Sequence, residues 1–125
     1  MPTSRSSSGA VNIPTLGVLV LGGWKMHPSS EFLRIAELLQ EVKKESGIVY
    51  EWKRIVDMNE RRCDPCGVYF EEKVYVMSKW VDSMEILSLR GGQIGQWTLI
   101  TRCSTLNRLP SSMCVHKGRI LLAGK

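Results

Sequence analysis

Three stretches of the chain share one pattern: VLVLGG at 18–23, VYVMSK at 74–79 and ILLAGK at 120–125. Each is an apolar, β-branched-rich run closing on small or turn-forming residues, and the runs stand 56 and then 46 positions apart. Other landmarks recur in phase. MPTSR (1–5) matches MNERR (58–62), which aligns Met1 with Met58 and Arg5 with Arg62. AELLQ (36–40) matches MEILS (84–88), and EWKRI (51–55) matches QWTLI (96–100). A period of about 50 residues built from short strands predicts a stacked array of sheets, because one such unit cannot bury its apolar face alone.

The spacing between landmarks agrees on every leg but one. Val18 to Trp52 is 34 positions, whereas Val74 to Trp97 is 23. Strands keep their length while surface loops accept insertions. The excess of 11 residues is therefore expected as a loop insertion between the first apolar strand and Trp52.

Strands are expected at 16–21, 34–40, 48–55, 68–70, 74–77, 83–89, 96–100, 113–116 and 119–123, with turn residues between them. Residues 6–12 read as Ser/Gly-rich and then weakly apolar, and 24–30 and 102–110 as loops. Residues 31–45 are ambiguous: Phe32, Ile35, Leu39 and Val42 share one helical face behind a serine cap. The repeat favours a strand at 34–40, with 41–46 as a helical or turn-like extension. The sum is an all-β pattern.

With 125 residues and 43% hydrophobic content, the chain holds at most one ordinary domain with a real core. No apolar run approaches the ~20 residues of a membrane-spanning helix, so no membrane role is expected. The N-terminus lacks the apolar core of a secretory signal, which points to a cytoplasmic setting with reduced thiols. The net charge of +5 is scattered rather than gathered into a stripe, which argues against nucleic-acid binding. No P-loop, nucleophile elbow, zincin helix or dinucleotide fingerprint is present, so no enzyme and no cofactor is expected. Cys63-x-x-Cys66, even with Cys103, Cys114 or His116, lacks the second paired motif of a zinc site, and no metal is expected. A lowered thiol pKa at Cys63, beside Arg61 and Arg62, would make it a redox sensor.

Gly22-Gly23 after a strand, Glu37 and Glu85 on the next strand, and Trp52 followed by Met58 and Arg62 resemble the kelch repeat. The resemblance spans the whole chain. It departs at Ser78-Lys79, where glycines belong, and at Cys103 and Asn107, where Met and Arg belong. It implies antiparallel four-stranded blades of a kelch-type β-propeller, incomplete, with a first unit at about 6–58, a second at about 63–103 and a third begun at about 112–125. A propeller closes with 4–8 blades, so the chain looks like a fragment of a propeller. The resemblance makes Gly22, Gly23, Glu37, Trp52, Met58, Glu85 and Trp97 structural. Glu37 and Glu85 would order the blades, and Trp52 and Trp97 would pack between neighbouring blades.

In kelch propellers the loops after the second strand and between blades project from one end. That end would carry Trp24, Lys25, His27, Arg61, Arg62, Lys79, Trp80 and Arg108. Trp and Arg are enriched at binding hot spots, and Arg forks suit acidic or phosphorylated peptides. The function implied is a protein-protein interaction module, the substrate-recognition part of a BTB-kelch adaptor for a cullin-type ubiquitin ligase. The alternatives are an actin- or cytoskeleton-binding kelch protein and a small metal-binding or enzymatic α+β domain.

Overall fold

The computed structural model describes residues 3–26, 30–100 and 110–124, the last segment with side chains at 113–122. Its secondary structure is almost entirely antiparallel β. The first four-stranded sheet runs in the order β1 (Gly9–Ile13), β2 (Gly17–Leu21), β5 (Ala36–Lys44) and β6 (Gly47–Arg54). The second repeats that order with β7 (Cys66–Phe70), β8 (Lys73–Ser78), β9 (Val81–Ser88) and β10 (Trp97–Ile100). A small hairpin of β3 (Trp24–Lys25) and β4 (Glu31–Phe32) interrupts the connection from β2 to β5. A last hairpin pairs β11 (Pro110–His116) with β12 (Arg119–Gly124).

The helical alternative over 31–45 is overturned, and the α+β reading with it. β5 pairs on both edges, through Val18↔Leu39 with β2 and through Lys44↔Gly47 with β6. The 41–46 extension is likewise strand as far as Lys44 rather than helix or turn. Ladders flank Glu37–Leu39 on both sides and β6 alone pairs Gln40–Lys44, so the backbone groups there bond between strands rather than within a helix. The residues that mimicked a helical face do not share one buried side: Phe32 is 39% exposed, while Ala36 and Leu38 are fully buried. β1 and the β3–β4 hairpin lie where the sequence suggested irregular chain.

One core lies between the two sheets. Val11, Ile13, Leu19, Leu21, Ala36 and Leu38 of the first sheet meet Val74, Val76, Leu87 and Trp97 of the second, with Leu89 from just beyond β9 and Met58 from the connection between the sheets. Burial alternates along the strands that build it: Val11 and Ile13 on β1, Leu19 and Leu21 on β2, Ser83, Glu85 and Leu87 on β9. That is the period-2 signature of a strand with one face on the core.

The sequence repeat survives as a repeat in space. Val18↔Leu39 and Leu39↔Trp52 are neighbours in the first sheet, as Val74↔Leu87 and Leu87↔Trp97 are in the second. The environments of the two triplets differ. Val74 and Leu87 are fully buried, Trp97 is 7% exposed, and its indole N–H donates to the Val56 carbonyl at 2.9 Å. Val18 is 36% exposed, and Leu39 and Trp52 are half-buried. The second triplet packs on the first sheet, whereas the first triplet faces away from the second sheet. Among the described residues the sheets do not close into a ring.

The insertion divides between two places. Val18 to Glu37 spans 19 positions against 11 for Val74 to Glu85, and Glu37 to Trp52 spans 15 against 12 for Glu85 to Trp97. Most of the extra chain therefore becomes the β3–β4 hairpin. The rest lengthens β5 and β6.

The different burial of two equivalent tryptophans gives a direct test. Trp97→Ala should lower unfolding free energy by about 3–5 kcal/mol, the usual effect of emptying a buried aromatic site. Trp52→Ala should lower it by less than half as much. Urea unfolding of both variants checks this; equal losses would mean that the two sites are packed alike.

Candidate functional site

Each sheet is locked by an arginine from the segment that precedes it. Arg62, on the segment between the sheets, is fully buried and donates from Nε to Glu85 Oε2 at 3.0 Å. Its Nη1 reaches Ser78 Oγ at 3.1 Å and the Ser83 carbonyl at 3.0 Å, and its Nη2 reaches Ser83 Oγ at 2.8 Å. Glu85 also accepts from the backbone N–H groups of Asn59 and Glu60. Arg5 does the same in the first sheet. It donates to Glu37 Oε1 at 2.7 Å and to the carbonyls of Gly22 and Ile35 at 3.0 and 3.1 Å. Burial pulls the Arg5 guanidinium below its ordinary pKa, with the Glu37 charge opposing.

Arg62 is therefore corrected from a rim residue to an interior one. Its backbone lies in the loop expected at the rim, but its side chain turns inward to satisfy a carboxylate that cannot stay buried and unpaired. Glu37 and Glu85 are both buried, and each accepts a hydrogen bond from its arginine.

The glycine pair has a physical reason. Gly22 and Gly23 adopt φ of 56° and 107°, values that side chains disfavour. A Cβ on Gly22 would stand 2.4 Å from the Arg62 carbonyl oxygen. Gly23 donates its N–H to that same carbonyl at 2.7 Å. The pair lets the connecting segment lie directly on the end of β2. The second sheet has Ser78 here, and its hydroxyl meets Arg62 where the Gly22 carbonyl meets Arg5.

The remaining described rim residues converge. Trp24 opens β3 and its Cα partner is Phe32, while its indole N–H donates to Ser30 Oγ at 2.7 Å. Phe32 stacks on Trp80 across the sheets, with ring centroids 6.0 Å apart and an interplanar angle of 17°. That geometry falls in the offset-stacked range. Arg61 Nη1 donates to the Phe32 carbonyl at 3.1 Å and to Glu31 Oε2 at 3.2 Å. Lys25 Nζ pairs with Glu31 Oε1 at 2.9 Å, and Lys79 Nζ lies 3.8 Å from Asp64 Oδ2. The hydrogen bond from Lys25, reinforced by the charges of Lys25 and Arg61, holds Glu31 below its ordinary pKa. His27 and Arg108 lie outside the described residues. Phe32, Glu31 and Met26 were missed by the sequence reading; only the position of the insertion pointed to them.

Trp80 is the unusual member. It sits in the two-residue turn from β8 to β9 with φ of 63°, and it is 69% exposed. A bulky residue at positive φ is disfavoured and costs of order 1–3 kcal/mol. Its ring recovers little of that by burial. Residues kept in such conformations cluster at binding surfaces. Elsewhere on the first unit, Ser4, Arg5, Ser6, Trp24, Lys25 and Met26 line a cleft of about 320 Å³. The turns at Thr15 and Glu72 lie together with Leu89 and Gly92 at the opposite end.

The described cysteines do not gather into a metal site. Cys63 and Cys66 are buried and Cys114 is exposed, while Cys103 lies outside the described residues. Among the described residues no three His, Cys, Asp or Glu side chains are placed to hold a metal ion. Burial pushes both the Cys63 and Cys66 thiols up, and the Asp64 charge adds to the rise at Cys63. This overturns the expectation of an activated Cys63 thiolate. Among the described residues no helix is long and apolar enough to cross a membrane. Comparison with protein-family models and with curated proteins gives no match.

Thiol labelling tests this placement. In the native state at pH 8, iodoacetamide should modify Cys114 at least about tenfold faster than Cys63 or Cys66, because the thiolate is the nucleophile and the latter two are buried with raised pKa. Peptide mapping by mass spectrometry reads the rates. Fast native labelling of Cys63 would place it at the surface.

Proposed function

We propose that the chain is part of a kelch-type β-propeller and acts as a protein-interaction module. Support for the propeller comes from two sheets of one strand order, each held by one arginine–glutamate lock to the segment before it and packed face to face. The triplet Val18, Leu39 and Trp52 presents the face that its counterpart buries, which suits a unit stacked within a larger ring. The binding role falls to the rim that carries Trp24, Lys25, Arg61, Lys79 and Trp80. The observation that carries this reading is the exposed Phe32–Trp80 stack, built from two different sheets and flanked by cations. An exposed aromatic pair with arginine at its edge has the composition of an interaction hot spot.

On this reading the module is non-catalytic and cytoplasmic. It presents a substrate or partner to other machinery, and the adaptor of a cullin-type ubiquitin ligase is the specific role that the kelch resemblance suggests. The partner is a protein or peptide with an apolar side chain for the aromatic stack.

A partner captured from cell extract and purified allows a quantitative test. Trp80→Ala and Arg61→Glu should each weaken its binding at least about tenfold, or 1.4 kcal/mol. Neither should lower the melting temperature. Glu72→Ala, in the turn at the opposite end, should bind as the unmodified chain does. Equal binding by all variants would move the surface elsewhere, and a parallel loss of folding would make these residues structural.

A further inference from the structure

The insertion in the first unit brings three chain segments to one corner of the rim. The β3–β4 hairpin supplies Lys25, Glu31 and Phe32, the connection between the sheets supplies Arg61, and the β8–β9 turn supplies Trp80. Arg61 is 55% exposed, yet it is held at two points. Both bonds, to Glu31 Oε2 and to the Phe32 carbonyl, come from Nη1. A guanidinium carries five N–H donors in a fixed fork. Among the described residues the Nε–Nη2 edge has no acceptor, and that edge matches a carboxylate with two parallel hydrogen bonds.

We propose that this corner reads a peptide carboxylate: the Nε–Nη2 edge of Arg61 takes one carboxylate while an adjacent apolar side chain of the same peptide lies on the Phe32–Trp80 stack. The inference rests on the reading of the rim as a peptide-binding face and narrows it to a ligand class. Charge supports a monoanion. Lys25 and Arg61 share one carboxylate, Glu31, which leaves one positive charge, while Lys79 is already opposite Asp64. Geometry supports the pairing with an apolar group. Phe32 holds Arg61 through its carbonyl and Trp80 through its ring, so one residue sets the distance from fork to stack. Because Arg61 is already held, less side-chain entropy is lost when the ligand arrives.

Nuclear magnetic resonance titration of the full chain tests this with two probes, acetyl-Gly-Leu-Glu-Gly-amide and acetyl-Gly-Leu-Gln-Gly-amide. The signals followed are the Trp80 indole N–H, assigned with Trp80→Phe, and the Arg61 Nε–H. The glutamate peptide should shift both signals and bind at least about fivefold more tightly than the glutamine peptide. Arg61→Lys keeps the charge but loses the fork. It should reduce the glutamate peptide to the level of the glutamine peptide without changing the melting temperature. Retained discrimination in Arg61→Lys would overturn the fork and leave only charge. Equal shifts of Trp80 by both peptides would overturn the carboxylate and leave the aromatic surface standing. No shift of Trp80 by either peptide would remove both this inference and the peptide-binding face it rests on.

Discussion

The structure depends on an arginine that is shut away from water in each unit. Arg5 and Arg62 have side chains with no exposure, and so do their partners to within 1%. Taking such charges out of water is costly, and only a nearly complete set of partners offsets it. Arg62 finds them at three residues on two strands of the second sheet: Ser78 at the end of β8, and Ser83 and Glu85 on β9. The lock therefore fixes where the segment from the first sheet enters the second. The first lock is less complete, since Arg5 Nε is buried without a partner. Proline stands at position 2, where its counterpart Asn59 offers Glu85 a backbone N–H.

That geometry has a consequence for the rim. With Arg62 turned inward and its carbonyl resting on Gly22 and Gly23, the residue before it has to point outward. Arg61 is thereby presented beside the β3–β4 hairpin, and Trp80 is presented by the tight turn that follows the Ser78 contact. Interior order and surface display are thus two sides of one short segment. In repeat architectures, insertions map to loops on one face, which is often the binding face. The β3–β4 hairpin is that insertion.

Much of the strand pattern was legible from the repeat, because matching Leu39 with Leu87 and Trp52 with Trp97 carried a strand across an ambiguous segment. Local periodicity alone would have made 31–45 a helix. β1 was not legible, since its inward residues are only Val11 and Ile13, set between a serine run and a proline. Arg62 was given two incompatible roles by spacing, one in the repeat and one at the rim, and only the direction of its side chain decides between them. The aromatic stack was half legible. Trp80 stood out as an equivalent of Trp24, but its neighbour Phe32 belongs to an insertion with no counterpart to compare. Cys63 misled for a related reason: two arginines precede it, yet one is bound to Glu85 and the other faces the rim, so burial decides its pKa.

The central claim is that the buried pair of Arg62 and Glu85 organises the second sheet rather than merely occupying it. A double-mutant cycle in denaturant unfolding measures this most directly, with Arg62→Ala, Glu85→Ala and the double variant. Arg62→Ala should cost about 3–5 kcal/mol, because it leaves a buried carboxylate without its cation. The double variant should be less damaged than the sum of the single variants by at least about 2 kcal/mol, within the range seen for residues in one network. Additive losses, with a coupling of less than about 0.5 kcal/mol, would show that the two residues act independently and would contradict the account.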